Sequence, residues 1–131
     1  TALTVLNLSW NLLRDVAASK FLVGLESNNT LTTLDLSWNS FGDVLQCQQL
    51  CDALSLGNCA ITDLNLSFNR ITDKSALILS HTLESKSDQI KLKKLCLQGN
   101  PIGQLGARAL MHAFATGGRE LIMTKVNMSL V

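Results

Sequence analysis

A nine-residue phrase, L-x-x-L-x-L-x-x-N, occurs four times along this chain of 131 residues. The copies are Leu3–Asn11, Leu31–Asn39, Ile61–Asn69 (with isoleucine in first position) and Leu92–Asn100. A degraded fifth copy begins at Met123 and continues to the last residue. Self-similarity at a fixed period predicts a solenoid, in which each unit buries its apolar face only against its neighbours.

The spacing of the copies sets what one unit contains. Successive copies start 28, 30, 31 and 31 residues apart, which leaves room for a short strand, a loop, a full helix and a return. We therefore predict an α/β solenoid, a short right-handed arc with parallel strands on its concave side and helices on its convex side. We expect one domain over residues 1–131, with four repeats and a partial fifth from residue 123, in a chain that is a piece of a longer protein.

Each phrase has an internal logic. Alternate residues of a strand point to opposite faces, so the leucines in Leu6-Asn7-Leu8 are buried and the residue between them faces solvent. An asparagine closes each phrase where the chain leaves the strand. Its side-chain amide can satisfy backbone groups of adjacent turns that burial would leave unpaired.

Helix starts and inward faces follow with the same regularity. Four residues after each asparagine stand Asp15, Asp43, Asp73 and Gln104, and an aspartate there can cap exposed backbone N–H groups. Apolar or small residues then recur at i, i+3, i+4 and i+7. The four stripes are Ala18-Phe21-Leu22-Leu25, Cys47-Leu50-Cys51-Leu54, Ala76-Leu79-Ser80-Leu83 and Ala107-Leu110-Met111-Phe114. The second stripe is shifted by one, which indicates a one-residue insertion near Val44-Leu45.

The phrase matches the leucine-rich-repeat signature, and the long period resembles the ribonuclease-inhibitor-like class. Within that class, the Leu-Ser-Trp-Asn strings ending at Asn11 and Asn39, and the ending from Val126 to Val131, resemble a narrower group. It comprises the leucine-rich-repeat-containing proteins grouped with T-complex-associated testis-expressed proteins. This resemblance implies a flagellar or ciliary component, such as a subunit of the nexin–dynein regulatory complex.

The residues between the leucines form columns on the predicted concave face, where we place a protein-binding site. Its residues are Asn7, Thr33, Asp35, Ser37, Asp63, Asn65, Lys94, Cys96 and Lys125. Acidic groups occupy the middle repeats and basic groups the later ones. The alternative interpretation, that these are ordinary solvated strand residues, stays equally open.

Trp10, Trp38 and Phe68 occupy one column immediately before the asparagine, and Gly99 interrupts it. Such an aromatic strip can anchor a partner, because tryptophan is enriched at the centres of interfaces. The rings can equally stack on one another and brace the solenoid without any ligand. We favour bracing and keep binding as the alternative.

Charge and cysteine content limit the classes of partner and chemistry. Eleven Lys and Arg residues balance ten Asp and Glu, which argues against binding to nucleic acid or to an anionic membrane. No nucleotide-binding, nucleophile-elbow or metalloprotease motif is present, so we expect neither enzymatic activity nor a cofactor. The four cysteines lack metal-ligand spacing and are read as free thiols of a reducing compartment.

Together these features predict a non-enzymatic interaction scaffold that is cytoplasmic and, from the resemblance, axonemal. Thr1 to Leu3 form no signal peptide. We expect protein partners, with further repeats or subunits covering the two ends. Two alternatives remain: a GTPase-activating protein of the Ran-activator type, and the sensor segment of an innate-immune receptor.

Overall fold

A computed structural model describes residues 2–123, and strands and helices alternate along all of them. Each strand is three residues long, and the helices have 11 to 14 residues. The order is β1 (Val5–Asn7), α1 (Asp15–Leu25), β2 (Thr33–Asp35), α2 (Val44–Leu54), β3 (Asp63–Asn65), α3 (Asp73–Ser85), β4 (Lys94–Cys96), α4 (Gln104–Gly117) and β5 (Glu120–Ile122).

The five strands form one parallel sheet whose order in space is the order in sequence. Leu6, Leu34, Leu64, Leu95 and Leu121 lie at matching positions of adjacent strands. Such a register is possible only when each unit repeats the path of the last and lies beside it. The prediction of an α/β solenoid built from strand-and-helix repeats is thereby confirmed.

The core lies between the sheet and the layer of helices. The phrase leucines Leu34, Leu64 and Leu95 are at most 2% exposed. The helix stripes meet them, and every predicted stripe residue of α2 and α3 is buried. Burying an aliphatic side chain of this size stabilises a fold by about 1.5–3 kcal/mol, so one continuous core holds the repeats together.

Two predicted stripe residues behave differently because they lie at the ends of the stack. Met111 is 50% exposed, and the prediction that it faces the core is wrong. Its equivalent in α2, Cys51, lies against the next helix, with Sγ 4.0 Å from the carbonyl oxygen of Ile78. No helix follows α4 among the described residues, so Met111 has no such neighbour. Phe21 of α1 is only half-buried. No helix precedes α1 among the described residues, so this side of α1 has no neighbouring helix.

The helix starts are only partly as predicted. Asp43 caps its own helix by accepting from the Gln46 N–H at 2.8 Å, whereas Asp15 makes no capping bond. Asp73 instead caps the helix of the next repeat, because its Oδ1 accepts from the N–H groups of Gly103 and Gly106 at 2.8 and 3.0 Å. The helix α2 begins five residues after its asparagine and the others four, in agreement with the predicted insertion.

The closing asparagines link the repeats as predicted. Asn69 shows the pattern: its Oδ1 accepts from the N–H groups of Asn39 and Phe41, in the preceding repeat, at 3.0 and 3.1 Å. Its Nδ2 donates to the carbonyl of Leu36 in that repeat and to the carbonyls of Leu66 and Ser67 in its own repeat. Asn39 and Asn100 make the equivalent bonds one repeat away on either side.

The last strand differs from the sequence pattern, which places a fifth phrase from Met123. The strand paired with β4 begins at Glu120, and Glu120 lies beside Lys94. Gly118 ends α4 in the left-handed conformation, and the Arg119 guanidinium donates to the carbonyls of Leu92 and Ile90 at 2.6 and 2.8 Å. These bonds turn the chain directly onto the sheet. The rest of the phrase, including Lys125, lies outside the described residues.

No helix within residues 2–123 is long and apolar enough to cross a membrane.

Candidate protein-binding surface

Two columns of side chains make up the surface that we call the concave face. The first column comes from the first residue of each strand: Val5, Thr33, Asp63, Lys94 and Glu120. The second comes from the third residue: Asn7, Asp35, Asn65, Cys96 and Ile122. Adjacent strands of a sheet lie about 4.8 Å apart, so the five strands offer a floor about 20 Å wide.

The structure brings most of the predicted site residues together. A shallow concavity of about 200 Å³ lies over β2, β3 and β4. Six of the nine predicted residues line it: Thr33, Asp35, Asp63, Asn65, Lys94 and Cys96. Asn7 lies one strand further out and is exposed, so it borders the concavity without lining it.

Local hydrogen bonds hold the second column in place. Asp35 Oδ1 accepts from both the N–H and the hydroxyl of Ser37, at 2.9 and 2.6 Å. Asn65 accepts from the same two groups of Ser67, and Asn7 accepts from the Ser9 N–H. A side chain bonded two residues ahead in this way forms an Asx turn. The carboxylate of Asp35 is therefore oriented before any partner arrives.

Ser37 does not belong to the accessible surface, contrary to the prediction. It is only 5% exposed, and Ser67 is 4% exposed. The alternation of a strand stops at Asp35, because the Asx turn folds the chain inward directly after it. Ser37 and Ser67 thus donate hydrogen bonds within the Asx turns and are not available to a partner. Lys125, the remaining predicted residue, lies outside the described part of the chain.

Charge on the concave face is divided along the solenoid. Asp35 lies between two neutral amides, Asn7 and Asn65, whereas Asp63 lies between Thr33 and Lys94. Acidic character is therefore concentrated at β2. Burial raises the pKa of the neighbouring Cys96 thiol, and Lys94 partly offsets that rise, so this thiol stays neutral at physiological pH.

The aromatic strip, Trp10, Trp38 and Phe68, forms a continuous stack at the end of the strands. The ring centroids of Trp10 and Trp38 are 4.4 Å apart with planes 8° from parallel. Those of Trp38 and Phe68 are 4.2 Å apart at 5°. Stacking of this kind braces adjacent repeats. Trp10 nevertheless remains 69% exposed and Trp38 41%, so the same rings also offer apolar surface to a partner.

The backbone beneath the strip is unusual. Trp10, Trp38 and Phe68 all have positive φ, at 64°, 58° and 56°, a region that costs a residue with a Cβ roughly 1–2 kcal/mol. Gly99 takes the same conformation at 78°. A Cβ there would lie 2.3 Å from the Phe68 ring, so glycine is needed where the stack ends. Sequence reasoning missed this strain, although a glycine in an aromatic column was its available signal.

A second exposed region lies on the convex side, between α1 and α2. Its apolar members Val16, Val23 and Leu45 are 68%, 57% and 63% exposed, and they flank a groove that Asp15 and Asp43 also line. These apolar residues lie off the inward stripes, and that position was the signal in the sequence.

The cysteines are free thiols, as predicted. Cys47, Cys51 and Cys59 are buried and Cys96 is half-buried. Burial raises the pKa of Cys47 to about 12 and that of Cys51 to about 11, which suppresses the reactive thiolate. Within residues 2–123, no group of three or more His, Cys, Asp or Glu side chains could hold a metal ion.

Comparison with known proteins identifies the repeat. The family model described as Leucine Rich repeat matches residues 1–22, 27–44, 57–80 and 89–111. These four matches together cover more than half of the chain and coincide with the four phrases. No curated protein matches the chain.

Proposed function

The chain belongs to the leucine-rich-repeat family, and from that premise we propose that it is a non-enzymatic protein-interaction module that holds its partner on the concave face. Repeats of this family typically bind proteins and carry no catalytic activity. The oriented polar side chains over β2, β3 and β4 make this face the best candidate surface.

One observation carries the proposal. Six side chains from three different repeats converge on a single concavity, although they are separated by as many as 63 positions in the sequence, from Thr33 to Cys96. The parallel register fixes their spacing, and the Asx turns fix the orientation of Asp35 and Asn65. A surface that is rigid before binding loses little conformational entropy on association, which favours affinity.

The test reverses the acidic charge of the concave face. The double variant D35K/D63K should lose capture of the partner from extracts of the cells that make the protein. A second variant, D35N/D63N, removes charge and keeps the Asx turn, because asparagine already makes that turn at Asn65. It should weaken capture with an unchanged circular dichroism spectrum.

The matched control is E26K/D88K, which reverses two exposed charges outside the concave face and should capture the partner normally. Normal capture by folded D35K/D63K would remove the concave face as the binding surface. Equal loss in the control would instead point to a general effect of net charge.

We further propose the ribonuclease-inhibitor-like subclass for these repeats. The support is the length of the helices, 11 to 14 residues in every described repeat, which the longer repeat period allows. The Leu-Ser-Trp-Asn strings support the narrower proposal of a cytoplasmic scaffold in a ciliary or flagellar axoneme. Fluorescent tagging of the full-length protein in ciliated cells tests it, since exclusion from the axoneme would refute the assignment.

We also propose that another repeat or subunit covers the face of the first repeat. Leu3 is 55% exposed, whereas its equivalents Leu31, Ile61 and Leu92 are each 2% exposed. Exposed core positions and an unpaired strand edge favour contact with a further unit of structure.

A further inference from the structure

Three charged side chains line the concavity over β2, β3 and β4 without pairing with one another. They are Asp35, Asp63 and Lys94, and none of them makes an ion pair within residues 2–123. Oδ1 of Asp35 accepts from Ser37, and Oδ1 of Asp63 accepts from the Thr62 hydroxyl at 3.0 Å. No described residue donates to either Oδ2. Each carboxylate is therefore oriented through one oxygen and offers the other to a partner.

The spacing of the sheet sets the distances between these groups. Asp63 is the register partner of Thr33 and of Lys94, and Asp35 follows Thr33 by two residues. With about 3.3 Å per residue and about 4.8 Å between strands, the Cα atoms of Asp35 and Asp63 are about 8 Å apart. A point midway between them is also about 8 Å from the Cα atom of Lys94.

The neighbouring Cys96 thiol responds to all three charges. Burial is the main cause that raises its pKa; beyond burial, Lys94 lowers this pKa, and Glu120, Asp35 and Asp63 raise it. The charges therefore act on one point of the concave face. The strands that carry the concavity are flanked by β1 and β5, so further repeats at either end would leave it as it is.

We propose that this concavity binds an extended segment of the partner protein that carries an arginine and, two residues away, an acidic residue. The guanidinium lies between Asp35 and Asp63, and the acidic side chain pairs with Lys94. The inference rests on the proposed function and names the chemistry of its partner.

Charge complementarity favours this pair of side chains. A guanidinium has five N–H donors in one plane and bonds carboxylates on two sides, whereas the ammonium group of lysine is a single point of charge. A basic residue alone would leave Lys94 without a partner. An apolar segment would cover all three charges and satisfy none, which costs free energy.

The dimensions favour an extended protein segment. Residues two apart in an extended chain point the same way and lie about 6.6 Å from one another. That distance is closer to the spacing of about 8 Å set by the sheet than the roughly 5–6 Å between neighbouring side chains of a helix. The concavity, about 200 Å³, is also smaller than the roughly 300–1,000 Å³ of typical small-molecule sites.

Four capped peptides test the assignment: the parent Thr-Arg-Val-Glu-Thr and three versions that each change one residue. Citrulline for arginine removes the charge and keeps the planar shape, lysine for arginine removes the planar fork, and glutamine for glutamate removes the acidic charge. NMR titration of the isotope-labelled module measures each Kd. The parent should shift the backbone amide signals of Asp35, Asp63 and Lys94. It should bind about two- to fivefold more tightly than each changed peptide, as expected for exposed charge pairs.

Protein variants then assign each peptide charge to its contact. Asp35→Asn and Asp63→Asn keep a hydrogen-bond acceptor, and each should weaken the parent peptide about two- to fivefold while leaving the citrulline peptide unaffected. Lys94→Gln should weaken the parent peptide and leave the glutamine peptide unaffected. The matched control is Asp88→Asn, which removes an exposed charge outside the concave face and should leave binding of every peptide unchanged.

Equal binding of the parent and citrulline peptides, or no binding at millimolar concentration, overturns the inference. So does an equal loss of affinity in Asp88→Asn and Asp35→Asn, because that result indicates unspecific attraction. Unchanged affinity of Lys94→Gln for the parent peptide overturns the pairing with an acidic residue. The proposed function is judged separately: loss of whole-partner capture by folded D35K/D63K supports it even where the peptides fail, and retained capture refutes it.

Discussion

At the scale of single residues, the closing asparagines join adjacent repeats through hydrogen bonds. Asn69 is 8% exposed, and its amide bonds backbone groups of two repeats. Asn11, in the first repeat, is exposed, and among the described residues its amide donates only to the Ser9 carbonyl of the same repeat. The same residue type therefore has different energetic weight at the two positions.

Replacing Asn69 with alanine should destabilise the protein by about 3 kcal/mol or more, because several buried backbone groups lose their partner at about 1–3 kcal/mol each. Asn11→Ala is the matched control and should cost less than about 1 kcal/mol, since water can replace its bond. Urea unfolding followed by circular dichroism measures both. Equal losses would mean that the ladder of asparagines does not join the repeats.

The buried thiols predict a dependence of stability on pH. Cys47 and Cys51 have pKa values of about 12 and about 11 when folded, against 9.0 in an unfolded chain. Their neutral form is favoured by folding, so their contribution is complete below pH 9 and is lost as pH rises toward the folded values. Between pH 9 and 11 the free energy of unfolding should fall by up to about 1.4 kcal/mol per pH unit for each thiol.

Denaturant unfolding at several pH values tests this dependence, with the double variant C47A/C51A as the control. The chain has no tyrosine, so no phenol titrates in the same window. The slope between pH 9 and 11 should flatten in the variant. An unchanged slope would show that other groups, such as lysines, control stability there.

At the scale of structural elements, the aromatic strip depends on the glycine that ends it. A Cβ on Gly99 would clash with the Phe68 ring, whereas a Cβ on Gly118 would meet nothing within 4 Å. Both glycines have positive φ, 78° and 67°. Comparing alanine variants of Gly99 and Gly118 therefore separates the free-energy cost of the backbone conformation from that of displacing the Phe68 ring.

Gly118→Ala should destabilise the protein by about 1–2 kcal/mol, the cost of left-handed backbone alone. Gly99→Ala should cost at least about 1 kcal/mol more, because the stack must also move to relieve overpacking. Thermal unfolding ranks the two variants, and the tryptophan fluorescence spectrum should change in Gly99→Ala alone. Equal losses, with unchanged fluorescence, would show that the ring does not rest on this glycine.

The strands and helices were largely predictable from sequence because the same strand phrase and helix stripe recur in each repeat. Alternation placed Leu34 and Leu64 in strands, and the i, i+3, i+4, i+7 stripes placed the helices. Two kinds of feature escaped. The cap that Asp73 gives to the next helix joins residues about 30 positions apart, which spacing within one repeat cannot reveal. The fifth strand at Glu120 depends on the bonds of Arg119, and no phrase marks it.

The sequence predicted which residues of the candidate site are neighbours, but it did not predict the turns and backbone conformations around them. Periodicity identified Asp35, Asp63 and Lys94 as neighbours, and the structure places them around one concavity. The inward turn that buries Ser37 could not be read from alternation, because an Asx turn interrupts the period of the strand. The prediction of a bracing aromatic column did not include its left-handed backbone, which depends on contacts between repeats.

At the scale of the whole molecule, the repeats form one object because each is incomplete by itself. Every strand is three residues long, too short to be stable outside the sheet. Hydrogen bonds, stacked rings and the apolar core all run along the same axis, from repeat to repeat. These contacts between repeats make the concave face rigid.

Cys96 offers the most direct test that this face holds the partner, because it is the least buried of the four cysteines. Thiol alkylation at pH 8.5, in the free module and in the module bound to its captured partner, is followed by peptide mass spectrometry and measures the accessibility of Cys96. A parallel treatment of both samples with acetic anhydride acetylates the lysines. We predict that bound partner slows labelling of Cys96 at least about tenfold, while exposed Lys20 and Lys86 on the helix side acetylate at unchanged rates. Equal labelling of Cys96 in the free module and in an intact complex would contradict the claim that the partner binds to the concave face.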